Sequence, residues 1–350
     1  MDAQLGLFPD APDAERSVAV GPAEPPARLR DVASKLPSGL RLGTSSWTFP
    51  GWQGVVYDRR ASQSVLASDG LAAYAAHPLL RAVGLDRTYY RPMTAADLRA
   101  YAEDVPANFR FVVKADRLLT SPVDPDGAGV RTPNPRFLDA TYATEEVVGP
   151  VAEGLGAKAG LVVFQFSPIS PRIVGGRGAF LERLHRFLGA LPQGLAYAVE
   201  LRTAAFLTEE YTRILEATGA AHCFNVHPAM ASLARQVALV QPFSQPVLLV
   251  RWMLGAGQEY EAARDRYAPF DRLVDEDPTT RALIARTVLD ALLGEREAIV
   301  IANNKAEGSA PLTLFRLAEH IASWRAAGAP AADDHTPSLH PAGDSPTVRP

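Results

Sequence analysis

A chain of 350 residues with 47% apolar side chains is long enough to bury a large core, which excludes a disordered or fibrous polypeptide. Its 35 Lys and Arg against 39 Asp and Glu leave a net charge of -4, so strong direct nucleic-acid binding is not expected. The single cysteine, Cys223, excludes a disulfide framework and a thiolate zinc cluster, and with no apolar run of about 18 residues and no basic-then-apolar leader at Met1 the expected location is the cytoplasm, without a membrane partner.

Residues 1–38 are rich in Ala, Pro and acidic residues without a sustained period, and are expected to be a disordered tail. Within them Gln4-Leu5-Gly6-Leu7-Phe8 sets large apolar side chains in a solvated segment. This peptide resembles the short motif by which bacterial proteins dock on the replicative sliding clamp. Leu7 and Phe8 would fill an apolar cleft, Gln4 would offer amide hydrogen bonds, and Leu5 would join them as a partner-binding residue.

From residue 39 onward eight short apolar runs alternate with helix-length segments. The runs are 40–47, 82–90, 110–116, 160–166, 195–202, 221–227, 246–253 and 298–304. Strands spaced in this way argue for βα units and a parallel sheet. Eight such units over residues 39–325 predict one α/β domain, a TIM (β/α)8 barrel, close to the usual size of about 250 residues. The helix signals agree. Thr94 and Asp97 form a capping-box pattern, Thr208 precedes Glu209 and Glu210 in a first turn, and Asp277-Pro278 reads as an N-cap followed by proline. Leu314, Leu317, Ala318 and Ile321 keep the spacing of a helix face packed on the barrel. Two long connections, 117–135 and 254–277, fall on the C-terminal face and are candidate lids. Residues 326–350 read as a second disordered tail.

A barrel presents its functional groups at the C-terminal ends of its strands. Alternate strand residues face the interior, so Glu200 and Arg202 share a direction, with Lys114, Gln165, Arg251 and one of Asn303 or Asn304 at the same level. Such a cluster is either a mutually satisfied ion plug or a site, and the number of titratable groups favours a site. Arg91, Lys114, Arg202, Arg251 and Lys305 outnumber Asp86 and Glu200, which points to a small anionic substrate, phosphorylated or nucleotide-like. Glu200 is the candidate general base, and Lys114 an electrophilic clamp or, if burial lowers its pKa, an amine nucleophile. Arg202 and Arg251 would orient the anion, and Trp47, Trp52, Tyr90 and Trp252 are either an apolar wall for a ring, sugar or base or, the more frequent use of such residues, core packing. His227 would cap its strand or bind substrate. The stretch Glu307-Gly308-Ser309-Ala310-Pro311 opens the last helix, either as a phosphate site or as a helix start capped by Ser309. Asp86, Glu200, Asn225 and His227 could ligate a divalent metal, but Lys305 brings a cation close and a metal is not favoured; any other cofactor is undetermined. Cys223 and His222 read as packing residues, and His77, His185 and His320 as surface or packing residues. Hydrolase, lyase and isomerase chemistry all fit. The alternative function is a non-catalytic, clamp-associated accessory protein in DNA replication or repair.

Five segments resemble the YecE-like family, known as domain of unknown function 72. They are Gly43-Thr44-Ser45-Ser46-Trp47 with Gly51-Trp52 and Tyr57, then Thr88-Tyr89-Tyr90-Arg91-Pro92, and Phe111-Val112-Val113-Lys114. The others are Glu200-Leu201-Arg202, and Asn303-Asn304-Lys305 with Gly308 and Ala310-Pro311. The resemblance covers roughly residues 40–325 and implies a TIM barrel without an established reaction. Its motifs bring Ser46 and Asn304 into the expected substrate-binding set. Gly84 stands where the family usually has glutamate, Asp86 where it has asparagine, and Lys305 where it has histidine. A histidine usual after the seventh-strand arginine is absent, with Met253 in its region. The chain thus resembles a divergent member, lacking a carboxylate at position 84 that a metal site would use.

Overall fold

Eight parallel strands form a closed barrel in sequence order, with β8 pairing back onto β1. They are β1 (Leu40–Thr44), β2 (Leu80–Leu85), β3 (Arg110–Lys114) and β4 (Ala159–Phe166), followed by β5 (Tyr197–Leu201), β6 (Ala221–Val226), β7 (Leu248–Trp252) and β8 (Ala298–Ala302). This computed structural model describes residues 19–127, 132–241, 244–255 and 258–327. The fold is the expected TIM barrel. Several strands stop earlier than the apolar runs suggest. The second run turns at Asp86 into a 3-10 helix, Asp86–Tyr89, so its polar end leaves the ladder and bends over the barrel mouth.

The helices surround the strands. α1 (Ala27–Lys35) precedes the barrel, α2 (Gln63–Ala75) follows β1 and α3 (Ala95–Glu103) follows β2. After β3 come α4 (Arg117–Thr120), α5 (Ala140–Ala143) and α6 (Gly149–Leu155), the last two joined by a π-helical turn over Thr144–Val148. α7 (Arg177–Gly189), α8 (Glu209–Thr218) and α9 (Leu233–Val240) follow β4, β5 and β6. α10 (Tyr260–Tyr267) and α11 (Pro278–Leu293) follow β7, and α12 (Ala310–Ala326) follows β8. The predicted caps form: Thr94 and Asp97 close a reciprocal capping box, Thr208 accepts from Tyr211 N, and Asp277 accepts from Thr280 N. Among the described residues no helix is long and apolar enough to cross a membrane.

The expected disordered tail of 1–38 is overturned over residues 19–38, which are ordered against the barrel. Leu29 and Val32, three residues apart on α1, are buried where that helix packs on α12. Ala23 N donates to Val56 O at 2.9 Å and Gly21 N to Asp58 Oδ1 at 3.1 Å. A nine-residue helix with two core positions is too short to impose a readable period, so the composition hid it. Gln4, Leu5, Leu7 and Phe8 lie outside the described residues, as does most of 326–350; α12 itself runs through Ala326.

Strand alternation divides the core in two. Ala82, Val112, Leu161, Val163, Ala198, Ala221, Cys223, Leu249, Ile299 and Ile301 fill the barrel interior. The residues between them face outward and pack under the helices, including Val113, Phe164, Val199, Phe224, Val250, Trp252 and Val300. Cys223 is a buried interior hydrophobe. His222 packs outward, its ring nitrogens meeting Tyr211 Oη at 2.9 Å and Gln236 Oε1 at 3.2 Å. His77 is buried against the ring of Phe315.

Candidate functional site

Above the apolar interior, the next residue of the same parity on successive strands is polar: Lys114 on β3, Gln165 on β4, Glu200 on β5, Asn225 on β6 and Arg251 on β7. Register places Gln165 beside Glu200 and Asn225 beside Arg251. Glu200 is fully buried and ties the layer together. Its Oε2 accepts from Arg251 Nη1 at 2.5 Å, and its Oε1 accepts from Arg202 Nε at 3.0 Å. Arg251 Nη2 reaches both oxygens of Asp86, at 2.9 and 3.0 Å. The chain Arg202–Glu200–Arg251–Asp86 thus crosses the barrel mouth, pairing each buried charge as desolvation requires.

This arrangement corrects the role expected of Glu200. Burial pushes its carboxyl up, but Arg251, Arg202 and Lys114 together outweigh that and hold it at about 2. A carboxylate with both oxygens in guanidinium pairs is a poor proton acceptor near neutrality. Glu200 instead holds Arg202 and Arg251 together across the mouth. The same pairing removes it from the candidate metal set with Asp86, Asn225 and His227. Among the described residues no group of three or more His, Cys, Asp or Glu side chains could hold a metal ion.

Lys114 is different. Among the described residues its Nζ has no ion pair or hydrogen bond, and it sits 3.6 Å over the centre of the Tyr89 ring. Burial pulls its pKa down to about 8, against the opposing field of Asp86. Lys305 is pulled down to about 8 for the same reason, but its Nζ donates to Asn303 Oδ1 at 3.3 Å and lies 4.2 Å from the Tyr260 ring. Asn303 faces the cluster and donates to Ser45 Oγ at 2.9 Å.

His227 follows β6. Ala229 N donates to its Nδ1 at 3.1 Å, while its Nε2 lies 3.3 Å from Arg202 Nη1. Burial and the Arg202 charge lower the ring to about 4, so it is neutral at pH 7. Gln165 is buried and donates to Ser167 Oγ at 3.2 Å.

Several expected site residues lie elsewhere, mostly because they are the wrong neighbour in an alternating pair. Trp252, next to Arg251, faces outward and is completely buried under the helix layer. Trp47 is buried too, donating from Nε1 to Leu66 O at 2.8 Å and packing edge-on to Tyr101. Ser46 Oγ turns to Thr48 Oγ1, 3.1 Å away, leaving Ser45 to meet Asn303. Tyr90 points outward, 56% exposed and 6.0 Å from the Arg117 guanidinium, whereas Tyr89 lies on Lys114. Arg91 is exposed beyond the 3-10 helix. Asp86, Tyr89 and Ser45 are thus the members of the cluster missing from the expected substrate set. Parity counted from Ala82 through Gly84 would have pointed to Asp86.

Asn304 and the turn after it also take a structural role. Asn304 Oδ1 accepts from Trp52 Nε1 at 3.3 Å and from Ala310 N at 2.8 Å, so it caps α12 from six residues upstream. Ser309 makes no side-chain cap, Pro311 has no N–H, and the whole 303–310 segment is buried. The amino terminus of α12 is closed to a phosphate. Asn304→Ala should cost about 1–3 kcal/mol, read as a lower urea midpoint, because it strands two buried donors. An unchanged midpoint would remove the capping role.

The connection after β7 is a packed cover. Leu254, Ala263, Tyr267 and Phe270 form a small core with Phe49 and Val274. Fully buried Glu307 anchors its far end: Val274 N donates to Glu307 O at 2.7 Å, and Arg281 Nη2 to Glu307 Oε1 at 2.6 Å.

The family profile described as "Protein of unknown function DUF72" matches residues 41–336. This chain belongs to the DUF72 family. Solved DUF72 structures share its fold. One from Enterococcus faecalis is 19% identical with a TM-score of 0.56, over 81% of this chain and 95% of that one. One from Thermotoga maritima is 21% identical with a TM-score of 0.55, over 80% of this chain and 98% of that one. No curated protein matches the sequence significantly.

Proposed function

We propose that this DUF72 protein is an enzyme whose barrel mouth takes a small anionic substrate, with Lys114 as its reactive amine. The observation that carries the reading is the meeting of Arg202 and His227. Because Nδ1 of His227 accepts from Ala229 N, the single proton of the neutral ring belongs on Nε2. That N–H faces Arg202 Nη1 at 3.3 Å, so two donors converge with no acceptor between them among the described residues. A carboxylate or phosphate oxygen placed there would satisfy both.

The charge balance points the same way. Among the described residues of the layer, Lys114, Arg202 and Arg251 outnumber Asp86 and Glu200, a surplus the Asp86–Arg251–Glu200 pairs do not neutralise, with Lys305 beside them. With the α12 terminus closed, the anion would rest on side chains alone.

Thermal-shift titration with inorganic phosphate and with malonate tests this. The wild type should be stabilised by at least one of them. Arg202→Gln and His227→Gln should each weaken that effect by roughly tenfold to a hundredfold, the worth of one charged hydrogen bond. No shift with either anion, or equal shifts in both variants, would overturn the reading.

A further inference from the structure

We propose that Lys114 is an imine-forming lysine and that the anion taken by the mouth is a small oxo acid, bound by its carboxylate with its carbonyl carbon presented to the amine. This rests on the anionic-mouth reading and adds the chemistry of the bound molecule. Every other buried cation of the cluster is tied to an oxygen: Arg251 to Glu200 and Asp86, Arg202 to Glu200, Lys305 to Asn303. Lys114 Nζ alone, among the described residues, rests only on a π face, that of Tyr89. A lysine serving as a fixed counter-charge would be expected on a carboxylate, and the two carboxylates of the layer are occupied by guanidinium groups. The backbone of Lys114 is tied to the Asp86–Tyr89 turn by the Thr88 hydroxyl, whose one proton is shared between Lys114 O at 2.6 Å and Leu85 O at 2.5 Å, while Nζ itself rests on the Tyr89 ring. Once a proton leaves, the Nζ lone pair has no hydrogen-bond partner among the described residues.

The step balances without a cofactor. The Lys114 ammonium first loses one proton to solvent water at the open edge of the mouth, where the Asp86 side chain is 30% exposed. The free amine attacks the carbonyl carbon, an N–C bond forms, and the C–O π pair becomes an alkoxide that takes a proton from nitrogen. The resulting hydroxyl leaves as water with a proton taken back from solvent, and the nitrogen lone pair closes the C=N bond as an iminium. An ammonium and a carbonyl have become an iminium and water. Arg251, Arg202, Glu200 and Tyr89 are the other groups facing the amine; the two guanidiniums favour its neutral form and Glu200 opposes it.

The test is reductive trapping on the full chain. Protein is incubated separately with pyruvate, glyoxylate and 2-oxoglutarate, with and without sodium cyanoborohydride, and followed by intact mass and peptide mapping. One reduced adduct should appear on Lys114 and none on Lys305, with a rate that rises with pH through about 8. Lys114→Arg and Lys114→Met should lose the adduct while keeping the wild-type circular dichroism. Thermal stabilisation by oxo acids and by phosphate alike, without an adduct, would overturn the imine and leave the anionic mouth standing. Neither adduct nor stabilisation would overturn both, and labelling spread over surface lysines equally in wild type and variants would overturn the assignment to Lys114.

Discussion

Glu200→Gln should lower the stability of the fold by about 3–5 kcal/mol at pH 7, the cost of breaking a buried ion pair from one side. Arg251 would keep Asp86 but lose the carboxylate on its Nη1, in a place where its side chain is 1% exposed. Arg202 would lose its ionic partner at the same time. The effect carries a definite pH signature. The Glu200 carboxyl is held at about 2 against an ordinary value of 4.5, so the folded state binds its proton less readily than the unfolded chain. The stabilisation is therefore fully present above about 4.5 and is lost as pH falls toward 2, and linkage puts it at roughly 3 kcal/mol. Urea midpoints of the two proteins should differ widely at pH 7 and draw together near pH 3. Equal midpoints at pH 7, or a gap that stays constant on acidification, would show that Glu200 does not hold the layer as described.

Gly51→Ala is expected to loosen the cover while sparing the barrel. A Cβ at position 51 would lie 1.8 Å from Pro269 O and 2.8 Å from Pro269 C, both backbone atoms of the segment after α10. Neither can rotate aside as a side-chain end could, so the strand-one loop and the cover must separate. Overpacking of this kind costs about 1–3 kcal/mol. It should fall locally, on the contacts of Phe49 with Phe270 and of Trp52 with Phe49. Hydrogen exchange should rise over residues 258–277 with little change in β2 through β6. As the cover lifts, Lys305 would regain water and its pKa would climb from about 8 toward the ordinary 10.5. Unaltered exchange across 258–277 would mean that the close approach can relax at no cost.

The eight-unit barrel was legible because each strand buries both faces and reads as a continuous apolar run. Strand ends were harder to place: β2 stops at Leu85 and Asp86–Tyr89 turns into a 3-10 helix, although Tyr89 and Tyr90 beyond the polar residues let the run read as strand through residue 90. Lys114, Arg202 and Arg251 could be placed at the mouth from position alone. Choosing between neighbours required parity, which selects Asn303 over Asn304, Ser45 over Ser46 and Arg251 over Trp252. The pull of aromatic residues as binding walls works against that rule, and Trp47 and Trp252 are core. What sequence spacing could not give was the state of Glu200, since two guanidiniums from β5 and β7 meet on it only after closure. Nor could it show that a side chain six residues away, Asn304, caps α12.

The buried run from Asn303 to Ala310 also dictates the direction of traffic. With that flank sealed by its own packing and by the cover, the accessible edges of the charged layer are Asp86, 30% exposed, and Arg202, 18% exposed, with Tyr89 and His227 half-buried beside them. If the mouth binds an anion as proposed, the molecule would reach it from the side of strands two to six, past Asp86 and Arg202. Lengthening the β4–β5 loops would throttle entry, whereas comparable insertions near the carboxyl terminus would leave the approach untouched.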